Sequence, residues 1–120
     1  MVTDSFRAFV LEQLQQCTPD IRSKRMFGAV GIYAGEYFFA VIDSDRLYFK
    51  VDDATRPQYE AEGMAPARIE TDKGPVVISY YEVPLGALEA PDELRPRVRD
   101  AIAVAERATK RGRRRPVKRR

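Results

Sequence analysis

Met26-Phe27-Gly28-Ala29-Val30-Gly31-Ile32-Tyr33 is where the chain turns from helix to sheet, and two runs of the same kind follow it, Tyr37 to Ile42 and Leu47 to Val51. Each is short and rich in β-branched and aromatic side chains. Ala34-Gly35-Glu36 and Asp43-Ser44-Asp45 separate them with residues that favour turns. The simplest reading is three antiparallel strands in a meander. Upstream, Phe6, Phe9, Val10 and Leu14 recur at helical spacing behind the capping oxygens of Thr3, Asp4 and Ser5, and Pro19 ends that helix. Downstream, Asp52 or Asp53 can cap a second helix over Thr55–Glu62, with Pro57 early enough to be tolerated and Gly63 placed to stop it. Ala67–Thr71 and Val76–Tyr81 read as a second hairpin through Asp72-Lys73-Gly74-Pro75. Leu94, Val98, Ala101, Ile102 and Ala105 lie at i, i+4, i+7, i+8 and i+11, the stripe of a helix packed on a sheet, running from Pro91 or Asp92 towards Ala108. The order α-β-β-β-α-β-β-α, with strands in hairpins and helices on a sheet face, predicts an α+β fold.

A chain of 120 residues with 44% hydrophobic side chains can fill one core. Its net charge of +3 conceals a division after Glu106. Residues 1–106 hold 12 of the 21 Lys+Arg and all 18 Asp+Glu, a balance of −6, whereas residues 107–120 hold 9 Lys+Arg and no acid, a balance of +9. The domain is therefore read as residues 1–109 and the basic tail as residues 110–120. The lack of histidine removes the commonest general base and transition-metal ligand. A single cysteine, Cys17, rules out an intrachain disulfide and a cysteine-based zinc cage. The lone thiol, the absence of a signal-peptide pattern and the absence of a run of about 18 apolar residues predict a cytoplasmic protein that does not enter the membrane.

Three segments carry a family resemblance. Arg25-Met26-Phe27-Gly28-Ala29-Val30-Gly31-Ile32-Tyr33, then Arg46-Leu47-Tyr48-Phe49-Lys50-Val51-Asp52-Asp53 with Thr55-Arg56-Pro57, then Ser79-Tyr80-Tyr81-Glu82-Val83-Pro84 resemble, in order and spacing, the N-terminal domain of the TfoX (Sxy) family of competence regulators. The resemblance covers residues 20 to 105. It implies a two-layer α-β(3)-α-β(2)-α fold with a mainly antiparallel five-stranded sheet, similar to that of secretion chaperones. It also implies a role in natural competence beside the cyclic-AMP receptor protein. Full-length members carry a second, helical C-terminal domain; here a basic tail follows, so a stand-alone form is expected. The motif residues Arg25, Met26, Phe27, Gly28, Gly31, Tyr33, Tyr48, Lys50, Asp52, Tyr80, Tyr81, Glu82 and Pro84 are read as mainly structural.

No catalytic, cofactor-binding or metal site is predicted. Gly28-Ala29-Val30-Gly31 lacks the Lys-Ser/Thr and helix of a phosphate loop, and its strand-like flanks point to a bulge, a tight bend or a close approach. Asp43 with Asp45, or Asp52 with Asp53, could hold a hard cation, but turn capping accounts for them without further acids to complete a cage. Cys17 sits at the wrong end of its helix for a lowered pKa and reads as a semi-buried structural thiol. Glu82 and its neighbouring tyrosines have no evident second catalytic partner. Among Phe27, Tyr33, Tyr37, Phe38, Phe39, Tyr48, Phe49, Tyr59, Tyr80 and Tyr81, about half must face the helices by strand alternation. The others, flanked by Lys50, Arg25 and Arg46, pack as ordinary sheet surface, dock a protein or stack nucleobases.

The tail cations Lys110, Arg111, Arg113, Arg114, Arg115, Lys118, Arg119 and Arg120 repel one another, and Gly112 and Pro116 break helices, so the segment beyond Lys110 is expected to be disordered by itself. Such a segment suits phosphate backbones of DNA or RNA, bound without sequence reading; a solubilising tail is the alternative. It has no apolar anchor for a membrane. The expected function is a non-enzymatic regulatory or interaction domain with a protein partner, a tail for nucleic acid, and a homodimer left open. The alternative is a small-molecule-binding domain or enzyme with a pocket between sheet and helices.

Overall fold

Thr3 opens the first helix: its hydroxyl oxygen accepts from the Phe6 N–H at 3.2 Å, and α1 (Asp4–Gln15) buries Val10 and Leu14 completely. The computed structural model describes residues 2–26 and 28–114, with side chains through Lys110. Strands β1 (Ile21–Met26), β2 (Ala29–Ala34), β3 (Tyr37–Asp43) and β4 (Arg46–Lys50) run as an antiparallel meander. Helix α2 (Arg56–Ala61) then leads to β5 (Pro66–Thr71) and β6 (Gly74–Glu82), followed by α3 (Leu85–Leu88) and α4 (Pro91–Arg114). The sheet order is β1-β2-β3-β4-β6-β5, antiparallel at every pairing, so β6 sits between β4 and β5.

The α+β class and the antiparallel sheet agree with the sequence reading, but the sheet has six strands, one more than the five expected. The additional strand is β1, whose Arg22, Ser23, Lys24 and Arg25 offer no apolar alternation. It forms because it pairs residue for residue with β2, from Ile21 opposite Ala34 to Met26 opposite Ala29. As an edge strand it can be polar on both faces. Helix α4 also continues to Arg114, past Ala108 where its apolar stripe fades. Arginine and lysine are good helix formers and extend a helix already nucleated on the body.

One face of the sheet carries the helices. Phe39 and Phe49 pack 5.8 Å apart at the centre of this layer, with Ile32, Ile42 and Leu47 around them and Leu88, Leu94, Val98, Ala101 and Ala105 above. A register shift between β2 and β3 helps to fill it: Ile32 faces Ala40 while Tyr33 faces Phe38, which leaves Phe39 as the extra residue. Both Phe39 and Ala40 thus reach the helix side. Burying each phenylalanine contributes about 2–3 kcal/mol. Among the described residues no helix is long and apolar enough to cross a membrane.

The β3–β4 turn does more than reverse the chain. Ser44 and Asp45 both take left-handed φ, 52° and 54°, as a tight two-residue hairpin turn requires. The Asp45 carboxylate then accepts from the Thr3 N–H and the Thr3 hydroxyl, each at 2.8 Å. The start of α1 is thereby tied to the sheet. Asp45→Ala is expected to lower stability by about 1 kcal/mol and the midpoint of thermal unfolding by about 4–8 °C, measured by circular dichroism against wild type.

Candidate functional site

Strand alternation sends Arg22, Lys24 and Met26 of β1 to the face opposite the helices, with Ala29, Gly31 and Tyr33 of β2 beside them. Val41 and Phe38 of β3, Tyr48 and Lys50 of β4, and Tyr80 of β6 continue the same face. Among the described residues no helix covers it, yet it has its own core. Ala29, Val41, Ala67 and Tyr80 are buried there, with Phe38, Tyr48, Ile69 and Ile78 packed around them. The sheet achieves this by curving until the β5–β6 hairpin approaches β1 and β2. Between them lies a cavity of about 200 Å³, walled by Met26, Ala29, Phe38 and Val41 on one side and Ile69, Thr71, Val76 and Ile78 on the other.

The floor of this concave face is an aromatic run. Tyr33 stacks on Phe38 at 5.1 Å, Phe38 meets Tyr80 at 5.5 Å, and the Lys50 ammonium lies 4.9 Å from the Tyr80 ring centre. Tyr80 is only 5% exposed and its hydroxyl donates to the Phe38 carbonyl at 3.3 Å. Burial above all pushes its phenol far above its ordinary value, so it acts as a fixed donor and holds its proton. Gly31 lies beneath Met26 and Phe38. A Cβ there would stand 2.6 Å from Met26 Cε and 3.0 Å from Phe38 Cε1, so its missing side chain is the space those two side chains cross. This is the close approach expected of a strand glycine.

The sequence placed Lys50 on this face correctly, but Arg25 belongs to the other. It stands opposite Val30 and reaches Asp4 at 4.0 Å on the helix side. Arg22 and Lys24 take its place; Arg22 lies 5.8 Å from the Tyr33 ring and donates to the Gly35 carbonyl. Alternation along Arg22-Ser23-Lys24-Arg25-Met26 was the available signal, and it needs β1 to be recognised as a strand. Of the other motif residues, Phe27 lies outside the described residues, and Gly28 forms the β1–β2 turn with φ of 81°. Tyr81 faces the helices and donates to Glu60 Oε2 at 3.0 Å, and Pro84 precedes α3.

Tyr80, Tyr81 and Glu82 are not brought together as an acid–base set. They alternate between the two faces, and Glu82 pairs with Arg46 at 3.4 Å beside a shallow hollow of about 300 Å³ formed with Phe6, Leu85 and Leu88. Cys17 is half-buried, donates weakly to the Gln13 carbonyl at 3.5 Å, and burial outweighs nearby Arg95 to push its thiol up. That environment suits a structural thiol. Among the described residues no group of three or more His, Cys, Asp or Glu side chains is placed to hold a metal ion.

Asp52 serves a different end of the molecule. Its Oδ1 accepts from the Ala54 and Thr55 N–H groups at 3.0 Å each, holding the turn before α2. Its Oδ2 accepts from Arg107 at 2.8 Å, fastening the distal part of α4 to the body. The Arg107 guanidinium, with help from those backbone donors, holds the Asp52 carboxyl below its ordinary 3.8. Of the tail cations, Lys110 pairs with Glu106 at 2.9 Å. Arg111, Arg113 and Arg114 lie on α4 with their side chains undescribed, and Arg115, Lys118, Arg119 and Arg120 lie outside the described residues.

These features define a small α+β domain with a curved antiparallel sheet, one face closed by helices and the other concave and aromatic. The chain belongs to the TfoX N-terminal domain family, whose sequence model matches residues 12–105. No curated protein matches the chain.

Gly31→Val should swing the Met26 methyl aside and press on the Phe38 ring, a net cost of about 1 kcal/mol after the better strand propensity of valine; urea unfolding checks this. Asp52 titrates below its unfolded value. Its contribution is therefore fully present above about pH 5 and is lost as pH falls through the folded-state value. Asp52→Asn should cost about 1 kcal/mol at pH 7, and the difference from wild type should shrink towards pH 2 in unfolding curves collected across that range.

Proposed function

We infer that this chain is a regulatory or interaction module of the cytoplasm, without a catalytic role, in which the acidic body engages a protein and the basic end of α4 holds a nucleic-acid backbone. The observation that carries the reading is the separation of charge: −6 over residues 1–106 and +9 over residues 107–120, with α4 running from one region into the other. Family membership supports a regulatory or interaction-type role, and the resemblance to competence regulators suggests a promoter-linked one. The net charge of the body is negative, so the main contact with phosphate would be made by the tail and would carry no sequence information.

The helical root of the tail matters to this division of labour. Because α4 is packed on the body and clamped at Arg107 by Asp52, its backbone leaves the folded domain in a defined direction as far as Arg114. A nucleic acid held there and a protein held on the sheet would be kept at a fixed separation.

Deleting residues 110–120 removes eight cations and leaves the Asp52–Arg107 bond in place. Binding to random-sequence duplex DNA, measured by fluorescence anisotropy over a salt series, should show a log–log slope of magnitude about 4 or more for the full chain and near zero for the deletion. An unchanged affinity and slope would show the reading to be wrong.

A further inference from the structure

We propose that the concave sheet face and the β1 edge together form a docking site for an acidic, extended segment of a protein partner, whose carboxylates meet Arg22 and Lys24 and whose apolar side chain enters the cavity beside Met26. The proposal rests on the protein-binding half of the function inferred above and gives that half a site and a partner chemistry.

Strand β1 is an edge strand, paired with β2 and with nothing on its other side among the described residues. An edge strand offers a row of main-chain N–H and C=O groups to an added strand. This edge is selective. Arg22, Lys24 and Arg25 place three exposed cations within four residues, which repel another copy of β1 and favour an acidic strand. Among the described residues no carboxylate lies within ion-pair distance of Arg22 or Lys24, and Arg25 reaches only the exposed Asp4, at 4.0 Å.

Side-chain spacing then sets the register. Arg22, Lys24 and Met26 recur at every second residue on the concave face, about 6.6 Å apart. A strand laid along β1 would bring alternate side chains past a cation, a second cation, and then the apolar cavity that Met26 helps to wall. Arg22, Lys24 and Tyr33 also border an open hollow of about 630 Å³, which leaves room for the carboxylates. The cavity, of about 200 Å³, accommodates one large apolar side chain. Its walls are apolar apart from Thr71, whose hydroxyl already donates to the Gly74 carbonyl at 2.7 Å, and the phenol of Tyr80 is bonded to the Phe38 carbonyl. A nucleobase, which needs partners for its polar edge, is therefore the poorer fit for this cavity.

Two substitutions separate the parts of the site. Arg22→Glu with Lys24→Glu reverses the exposed charges without touching the core. Val76→Asp places a charge at the cavity from an exposed wall position, so its melting temperature should stay close to that of wild type, which shows that the variant folds. The probe is a displayed library of random peptides selected on the full chain, with the binders then synthesised and titrated. The selected pool should alternate Asp or Glu with Val, Ile, Leu or Phe. Each variant should weaken the binders about tenfold or more, and deletion of residues 110–120 should leave their affinity unchanged. A pool without acidic residues, no enriched pool, or affinity indifferent to both variants would overturn the proposal. So would displacement of the peptides by single-stranded DNA, or self-association of the chain that the charge reversal abolishes, since the occupant would then be a nucleic acid or a second copy. Tail-dependent duplex binding is read in a separate titration, so loss of the peptide site and loss of the tail's function remain distinguishable.

Discussion

The structure depends on a sheet that has apolar side chains on both faces and helices for only one. On the helix side the problem is solved by layering, with Phe39 and Phe49 under α4. On the other side it is solved by curvature: the β5–β6 hairpin bends towards β1 and β2, and Ala29, Val41, Ala67 and Tyr80 are buried by the sheet itself. Small residues leave room for this. Gly31 leaves the space that Met26 and Phe38 cross, and Ala29 and Ala67 keep the floor low. A flat sheet of the same composition would expose a broad aromatic surface to water.

Legibility in the sequence followed the locality of the interactions. Helix α1 was readable because its cap, stripe and stop lie within about twenty residues of one another, and the β3–β4 turn because Asp43-Ser44-Asp45 suits a tight reversal. Strand β1 was not readable: its polar side chains give no period, and only pairing with β2 makes it a strand. The end of α4 was obscured for the opposite reason. Its apolar stripe stops near Ala108, but helix propagation needs only good helix formers once the body has provided a nucleus. The division of the aromatics between two faces followed from alternation. Their closure into a concave site did not, because it arises from contacts between β2, β3 and β6, whose sequence separation no local pattern records.

The charge division is also less clean in space than along the chain. Arg107 opens the basic segment, yet it is bonded to Asp52 of the body, and Lys110 is paired with Glu106. Arg107 thus fastens α4 to the body, while Lys110 is paired along α4 itself. The body in turn is not uniformly acidic. Arg22, Lys24 and Arg25 form a local basic strip along one sheet edge, invisible in a balance of −6 for residues 1–106.

The placement of β6 between β4 and β5 constrains how the chain can assemble. Strands β1 to β4 can form in sequence, each against its predecessor, but β5 is made before the strand that will join it to the sheet exists. It must wait for β6, pair with it as a hairpin, and arrive at β4 as a unit across the loop that contains α2. Closing that loop is the longest-range step in building the sheet and so a natural candidate for the slow one. Until the hairpin docks, Phe38, Val41 and Tyr48 stand open to solvent. The concave face therefore takes its shape only when the hairpin docks, and loses it when the hairpin loosens.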